Sequence, residues 1–225
     1  MSAKKIAVID YGMGNLHSVA SALSCVAPDV EVNVTSSIKE VAEADHVVFP
    51  GVGAIRDCVA EIKRLEFDKA VSDALAANKP VLAICVGMQS LMERSEENNG
   101  VECLGALPGD VRFFANNETF SQARDESSAS SERLKVPHMG WNEVEQKIGH
   151  PLWAGIPQNS RFYFVHSYYV APSDASLVAA ETHYGVNFTS VISRDTLFAV
   201  QFHPEKSHTH GLQLLKNFVQ WDGTC

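Results

Sequence analysis

The sequence predicts an α/β domain: a central mixed, mostly parallel sheet flanked by helices. Three observations predict it. In the first half, short apolar runs (5–10, 45–49, 81–84) alternate with segments of helical spacing, and strands separated by helical crossovers pair in parallel. In the second half, strand-like pieces follow one another closely enough that several must pair as hairpins. The 225 residues, 45% hydrophobic and 20% charged, have ordinary globular composition and can bury a sizeable core, so 1–225 reads as a single domain.

Residues 5–10 (KIAVID) suit a buried strand. Tyr11-Gly12-Met13-Gly14 makes a turn, and Asn15 stands as the N-cap of a helix that runs to Ala27 and is ended by Pro28. Residues 30–35 alternate as a second strand, 37–43 form a short helix, and 45–49 a third strand closed by Pro50-Gly51-Val52-Gly53. Residues 54–77 read as one helix with Ile55, Val59, Ile62, Leu65, Val71 and Leu75 on one side, broken by Lys79-Pro80. A fourth strand spans 81–84, and 88–94 is again helical. Later strands are expected at 111–114, 161–165, 177–181, 186–192 and 197–202, followed by an amphipathic helix over 210–220 with Leu212, Leu215 and Phe218 inward. The segment 116–133 (NNETFSQARDESSASSER) is polar and Ser-rich and reads as a mobile surface loop.

With 18 Lys and Arg against 27 Asp and Glu, the net charge is −9. No basic stripe is available to track a phosphate backbone or a membrane surface, so neither nucleic acid nor membrane is an expected partner. No apolar run approaches the length of a membrane span, and MSAKKIAVID carries no apolar leader core. The five cysteines form no C-x-x-C pair, which points to reduced thiols, a cytoplasmic location and no metal site or cofactor.

Three pieces carry chemistry. Ala83-Ile84-Cys85-Val86-Gly87 follows an apolar strand and opens a helix, the arrangement of a nucleophile elbow with Cys as nucleophile. Small residues two before and two after Cys85 let strand and helix approach, and the helix start favours a thiolate. Taken alone, Cys85 would sooner be read as a buried structural thiol, the commonest state of a free cysteine. In Phe202-His203-Pro204-Glu205 the chain before Pro204 is extended, so His203 and Glu205 project to one side and the carboxylate can orient the imidazole. A solvated surface histidine would fit that piece taken alone. Pro50-Gly51-Val52-Gly53 follows the third strand, where flanking glycines let N–H groups meet a developing oxyanion. All three lie at the carboxyl ends of parallel strands, where such sheets place ligands. Together they describe a cysteine acyl-transfer site: Cys85 as nucleophile, His203 as proton shuttle, Glu205 as its orienter, and the N–H groups of Gly51, Val52 and Val86 as candidate oxyanion donors.

At these residues the chain resembles the class I (triad) glutamine amidotransferases, and within them the glutaminase subunits of imidazole glycerol phosphate synthases. The resemblance is carried by Asp10 to Leu16, Pro50 to Ala54, Pro137 to Asn142, Phe162 to Tyr168 and Gln201 to Ser207. It implies hydrolysis of L-glutamine through a thioester on Cys85, with the ammonia passed to a separate (β/α)8-barrel cyclase subunit in a heterodimer. There it would meet the phosphoribulosyl aminoimidazole carboxamide intermediate, giving imidazole glycerol phosphate and aminoimidazole carboxamide ribotide in histidine biosynthesis. It also implies that Gln89, Glu97 and the backbone around Ser167 and Tyr168 hold the glutamine, and that Met13, Asn15, Trp141, Tyr163 and Lys206 lie on or near the cyclase-facing surface. Val86 stands where the family commonly has Leu, a small apolar exchange. Two other readings use the same residues: a stand-alone cysteine hydrolase that needs no partner surface, and an inactive scaffold that only binds a partner. The stretches 138–142 and 163–168 speak against the first, and the complete triad against the second.

Overall fold

Alternation of buried strands with helices runs through the first half of the molecule. In the computed structural model, residues 4–127 and 134–224 are described. The elements of this half are β1 (Lys5–Ile9), α1 (Leu16–Val26), β2 (Glu31–Thr35), α2 (Ile38–Glu43), β3 (His46–Gly51), α3 (Ile55–Arg64), α4 (Phe67–Ala76), β4 (Val81–Cys85) and α5 (Val86–Ser90). Strands β3 and β4 are buried along their whole length, as apolar runs in a parallel sheet covered on both faces should be. The second half contains β5 (Arg94–Ser95), β6 (Val101–Glu102), β7 (Gly109–Phe113), α6 (Glu118–Glu126), β8 (His138–Gln146), β9 (Ser160–His166), β10 (Tyr168–Pro172), β11 (Val178–His183), β12 (Asn187–Arg194), β13 (Leu197–Val200) and α7 (His208–Gln220).

The strands run in the order β2-β1-β3-β4-β13-β12-β10-β7-β5-β6, with β11, β8 and β9 branching from β12. From β2 to β13 all neighbours are parallel. Beyond β13 the pairing turns antiparallel through β12, β10 and β7, so the sheet is mixed as expected. The register sets Gly51 opposite Cys85 and Val200 opposite Ile84. The carboxyl ends of β3, β4 and β13 therefore emerge side by side, although β13 lies far from the other two in sequence.

Several expectations need correction. The helix expected over 54–77 is two: Glu66, at φ 59°, turns left-handed between α3 and α4 and lets Phe67 swing into the core at full burial. The helix expected over 88–94 ends at Ser90, and Arg94 already pairs in β5. Strand β13 stops at Val200, before the bend that carries His203. Leu214 and Leu215 are buried in α7, whereas Leu212 is only half-buried. Strands β8 and β10 were not expected at all.

The loop expected over 116–133 is in its first part a helix. Asn117 caps α6 by accepting from the Phe120 N–H at 3.1 Å, and Phe120 is 0% exposed, packed 5.2 Å from Phe114 and 5.8 Å from Tyr184 between ring centroids. One aromatic anchor, invisible in an average over polar residues, fastens the segment. Residues 128–133 lie outside the described residues. Truncating this anchor, Phe120→Ala, is expected to destabilise the fold by about 3–5 kcal/mol in denaturant unfolding, the usual cost of emptying a buried aromatic site. A change under about 1 kcal/mol would mean that α6 carries no weight in the core.

Candidate active site

Cys85 ends β4 at φ 55° and ψ −113°, a backbone that L residues seldom adopt and that projects a side chain off a sharp strand–helix turn. Close backbone packing holds the turn. A Cβ on Gly87 would collide with the Phe49 carbonyl, and one on Gly51 would meet the Tyr11 hydroxyl at 2.5 Å and the Gly87 nitrogen at 2.7 Å. The small residue after the nucleophile is thus required by the approach of α5 to the end of β3.

His203 lies just beyond β13, pinned through its backbone: its N–H donates to the Tyr163 carbonyl on β9 at 2.9 Å, and its own carbonyl accepts from Ser207 Oγ, ahead of α7, at 2.6 Å. His203 Nδ1 and Glu205 Oε1 are 2.9 Å apart, with the two side chains 2% and 1% exposed. A carboxylate only accepts, so Nδ1 carries a proton and Nε2 is left to exchange one with Cys85. Nε2 is buried without a well-formed hydrogen bond among the described residues, beside Cys85. Burial opposes a cation at His203. Hydrogen bonding and charge at Cys85 and Glu205 outweigh it and raise the imidazole to about 10.

Asn15 stands at the N-cap of α1, as expected, but makes no side-chain cap. Its amide instead reaches Glu205 Oε1 at 3.3 Å. Oε1 of the carboxylate thereby accepts from both His203 and Asn15.

A cleft of about 540 Å³ opens over these groups, and Asn15, Val52, Cys85, Val86, Gln89, Glu97, Ser167, Tyr168, His203 and Lys206 all line it. Glu205 sits behind His203. Gly51 lies under the cleft against Tyr11, while Gly53, at φ 106°, lines it. Glu97 accepts from the Ile55 N–H at 3.1 Å and so ties the cleft wall to the start of α3. Met13, half-buried, has its sulfur 3.3 Å from the Cys58 sulfur.

The remaining surface residues cluster near the cleft mouth. Trp141 is 43% exposed, so it is no core tryptophan; it lies edge-on to Tyr163 at 6.1 Å and stacks on His208 at 5.1 Å. Lys206 Nζ is 6.0 Å from the Tyr163 ring centre, and Met139, two residues before Trp141 on β8, is 63% exposed. An apolar patch of this kind beside a cleft is what a protein interface leaves open.

Three residues without an assigned role complete the site. Gln201, fully buried, accepts from Gln89 Nε2 at 2.9 Å and directs its own amide to Cys85 Sγ at 3.7 Å. Gln89 Nε2 also donates to the Tyr168 carbonyl at 3.0 Å. Both N–H groups of Gln89 are therefore spent inside the protein, and only its carbonyl oxygen remains for a ligand. The Tyr168 carbonyl also accepts from His166 Nδ1 at 2.8 Å, which leaves His166 Nε2 to accept from His138 Nδ1 at 2.9 Å. His138 Nε2 lies 3.3 Å from the Asn142 amide. This chain needs both imidazoles neutral. Burial lowers His138 to about 4 and His166 to about 3, the latter helped by His138 itself.

The sign of the resulting pH dependence follows. Both histidines titrate near 6.5 when unfolded and lower when folded, so the unfolded chain binds more protons between those values. Stability is expected to be complete above pH ~6.5 and to fall toward pH 4, with a slope of up to about 1.4 kcal/mol per pH unit per proton. Chemical unfolding of wild type and His138→Asn from pH 7 to pH 4.5 checks this; identical slopes would remove His138 from the account. His203 has the opposite sign, since its raised value stabilises the fold below pH ~6.5 and is lost only as pH climbs toward 10.

Comparison with known proteins matches the family model described as "Glutamine amidotransferase class-I" over residues 7–221. The imidazole glycerol phosphate synthase subunit HisH of Pseudomonas putida is 58% identical over 218 residues, covering 97% of this chain and 98% of that protein. The HisH subunit of Nitrosococcus oceani is 56% identical, with 97% of this chain and 98% of that one covered. Among solved structures, PurLQS from Thermotoga maritima superposes with a TM-score of 0.68 at 15% identity, over 97% of each chain. The glutaminase domain of Trypanosoma brucei CTPS with bound acivicin superposes with a TM-score of 0.61 at 18% identity, over 99% of this chain and 96% of that one. At such identities the two structures speak for the fold.

Proposed function

This chain belongs to the class-I glutamine amidotransferase family, and from that premise we infer its reaction. It is an enzyme, the glutaminase subunit of an imidazole glycerol phosphate synthase, acting in histidine biosynthesis. The observation that carries the reading is the meeting of Cys85, His203 and Glu205 where β3, β4 and β13 end together, in a chain more than half identical to HisH subunits along its length.

The chemistry runs as follows. His203, raised to about 10, already holds on Nε2 the proton that Cys85 gives up, and the sulfur attacks the side-chain carbonyl of glutamine. The oxyanion falls to backbone N–H groups of Val86, at the start of α5, and of Gly51 or Val52. His203, now protonated and steadied by Glu205, gives its proton to the leaving nitrogen, and ammonia departs from a thioester. Water then attacks the thioester with His203 as base, and glutamate is released. Gln89 accepts a hydrogen bond from the substrate's N–H groups, and Glu97 and the backbone of Ser167 and Tyr168 complete its seat.

As a subunit, the chain works with a partner. That partner is a (β/α)8 cyclase, which docks over Met13, Asn15, Trp141, Tyr163 and Lys206 in a heterodimer and receives the ammonia. The exposed Met139 and Trp141 beside the cleft support this surface. The location is the cytoplasm, consistent with free thiols at Cys25, Cys58, Cys85 and Cys103; no described helix is long and apolar enough to cross a membrane.

Steady-state kinetics of the free chain, its complex with the cyclase, and the complex with nucleotide ligand test the reading. The free chain should hydrolyse glutamine slowly. The loaded complex should raise kcat by roughly a hundred-fold or more while KM moves little, because one oxyanion donor is worth about that much. Equal kcat in all three states would favour a stand-alone hydrolase with a preformed oxyanion site.

A further inference from the structure

The peptides at the end of β3 are not equally free to turn. The Pro50 carbonyl accepts from the Tyr11 hydroxyl at 2.9 Å. Tyr11 sits in the turn after β1 with 1% exposure, its ring 6.0 Å from Phe49, and its hydroxyl is the atom nearest to where a Cβ on Gly51 would stand. Two residues on, the Val52 carbonyl lies 3.5 Å from the thiol of Cys58, which is fully buried in α3. That thiol has one proton for three neighbours, the Val52 carbonyl, the Met13 sulfur at 3.3 Å and the Tyr11 hydroxyl, which is itself committed as a donor to Pro50, and the carbonyl is the strongest acceptor. Burial pushes Cys58 up to about 11, so the proton is in place at neutral pH.

The Pro50 carbonyl belongs to the peptide that bears the Gly51 N–H, and the Val52 carbonyl to the one that bears the Gly53 N–H. Turning either would strip a buried donor of its acceptor. The Gly51–Val52 peptide lies between them, next to a glycine that allows rotation. We propose that Tyr11 and Cys58 are positioning residues that clamp the peptides on either side of Gly51–Val52, so that of these three peptides the outer two are held and only the middle one can turn. The proposal rests on the glutaminase reading and deepens it. Neither residue touches substrate.

The full-length chain and its Tyr11→Phe, Cys58→Ala and Cys58→Ser variants test it in two ways. With cyclase and nucleotide ligand, Tyr11→Phe and Cys58→Ala should lower kcat by about ten-fold with KM for glutamine within about two-fold, since the lost term belongs to the transition state. Cys58→Ser keeps a donor for Val52 and should recover most of that loss. In the free chain, amide exchange should quicken by about ten-fold at Gly51 in Tyr11→Phe and at Gly53 in Cys58→Ala, as local opening becomes easier. Unchanged exchange at those amides overturns the clamp whatever the kinetics show, and so does a Cys58→Ser variant as impaired as Cys58→Ala, which would reduce Cys58 to packing. A wild-type chain that the cyclase does not stimulate would refute the functional reading instead, and the exchange measurement on the free chain would still decide the clamp.

Discussion

Glutamine hydrolysis is expected to vanish in Cys85→Ala, with synthesis from added ammonium salts in the cyclase complex left intact. Among the described residues no other cysteine lines the cleft. Cys58 faces Val52 and Met13 from inside α3, and Cys103 is buried with its sulfur near the Val101 carbonyl at 3.7 Å. The left-handed backbone at residue 85 tolerates Ala no worse than Cys, so the fold should survive. The measurement is glutamate release against ammonia-dependent turnover on the same preparation. Glutamine-dependent turnover at a large fraction of wild type would sink the assignment of Cys85, and joint loss of both activities would point to a broken interface.

The second large effect is at Glu205. Gln in its place is nearly isosteric, but the atom that meets His203 Nδ1 is also the one that accepts from Asn15, so an amide nitrogen there would lose both contacts. An amide nitrogen at the atom that meets His203 Nδ1 would donate rather than accept, and imidazole would turn its proton toward the nucleophile. Loss of the orienting carboxylate in a comparable triad costs about 10⁴-fold in kcat, and a decrease of that order is expected, with KM for glutamine little changed. The Glu205 side chain is 1% exposed, so bulk solvent does not soften the exchange. Kinetics within a few-fold of wild type would make Glu205 a bystander and require another acid for His203.

The triad was legible because each member sits in a short local pattern. The elbow needs small residues at 83 and 87, and the His-Pro-Glu spacing aligns two side chains without help from the rest of the chain. Strands β1, β3 and β4 were legible for a similar reason: strands buried on both faces read as apolar runs, whereas β2, at the sheet edge, was legible from its alternation. Strand β8 was not, since its pattern carries Gly140 and leaves Met139 and Trp141 outside, contrary to the rule of burial. The amide of Gln201 takes its meaning from Gln89, 112 positions away, and no local pattern contains that fact. Asn15 was read as a helix cap from its neighbours, but the acid it serves lies 190 positions on. What escaped the sequence was the contact between distant polar groups, which only topology brings about.

That topology also bears on how the chain is made. Strand β13, the last of the described strands in chain order, occupies the middle of the sheet between β4 and β12. While the ribosome is still at work, β4 therefore presents an open, wholly apolar edge that waits for its neighbour. An emerging chain with such an edge is exposed to aggregation until residues 197–200 are released. The same order of events offers a safeguard, since His203 and Glu205 follow β13. A nascent or prematurely terminated chain carries its nucleophile without its base, and so cannot spend glutamine before its synthesis is complete.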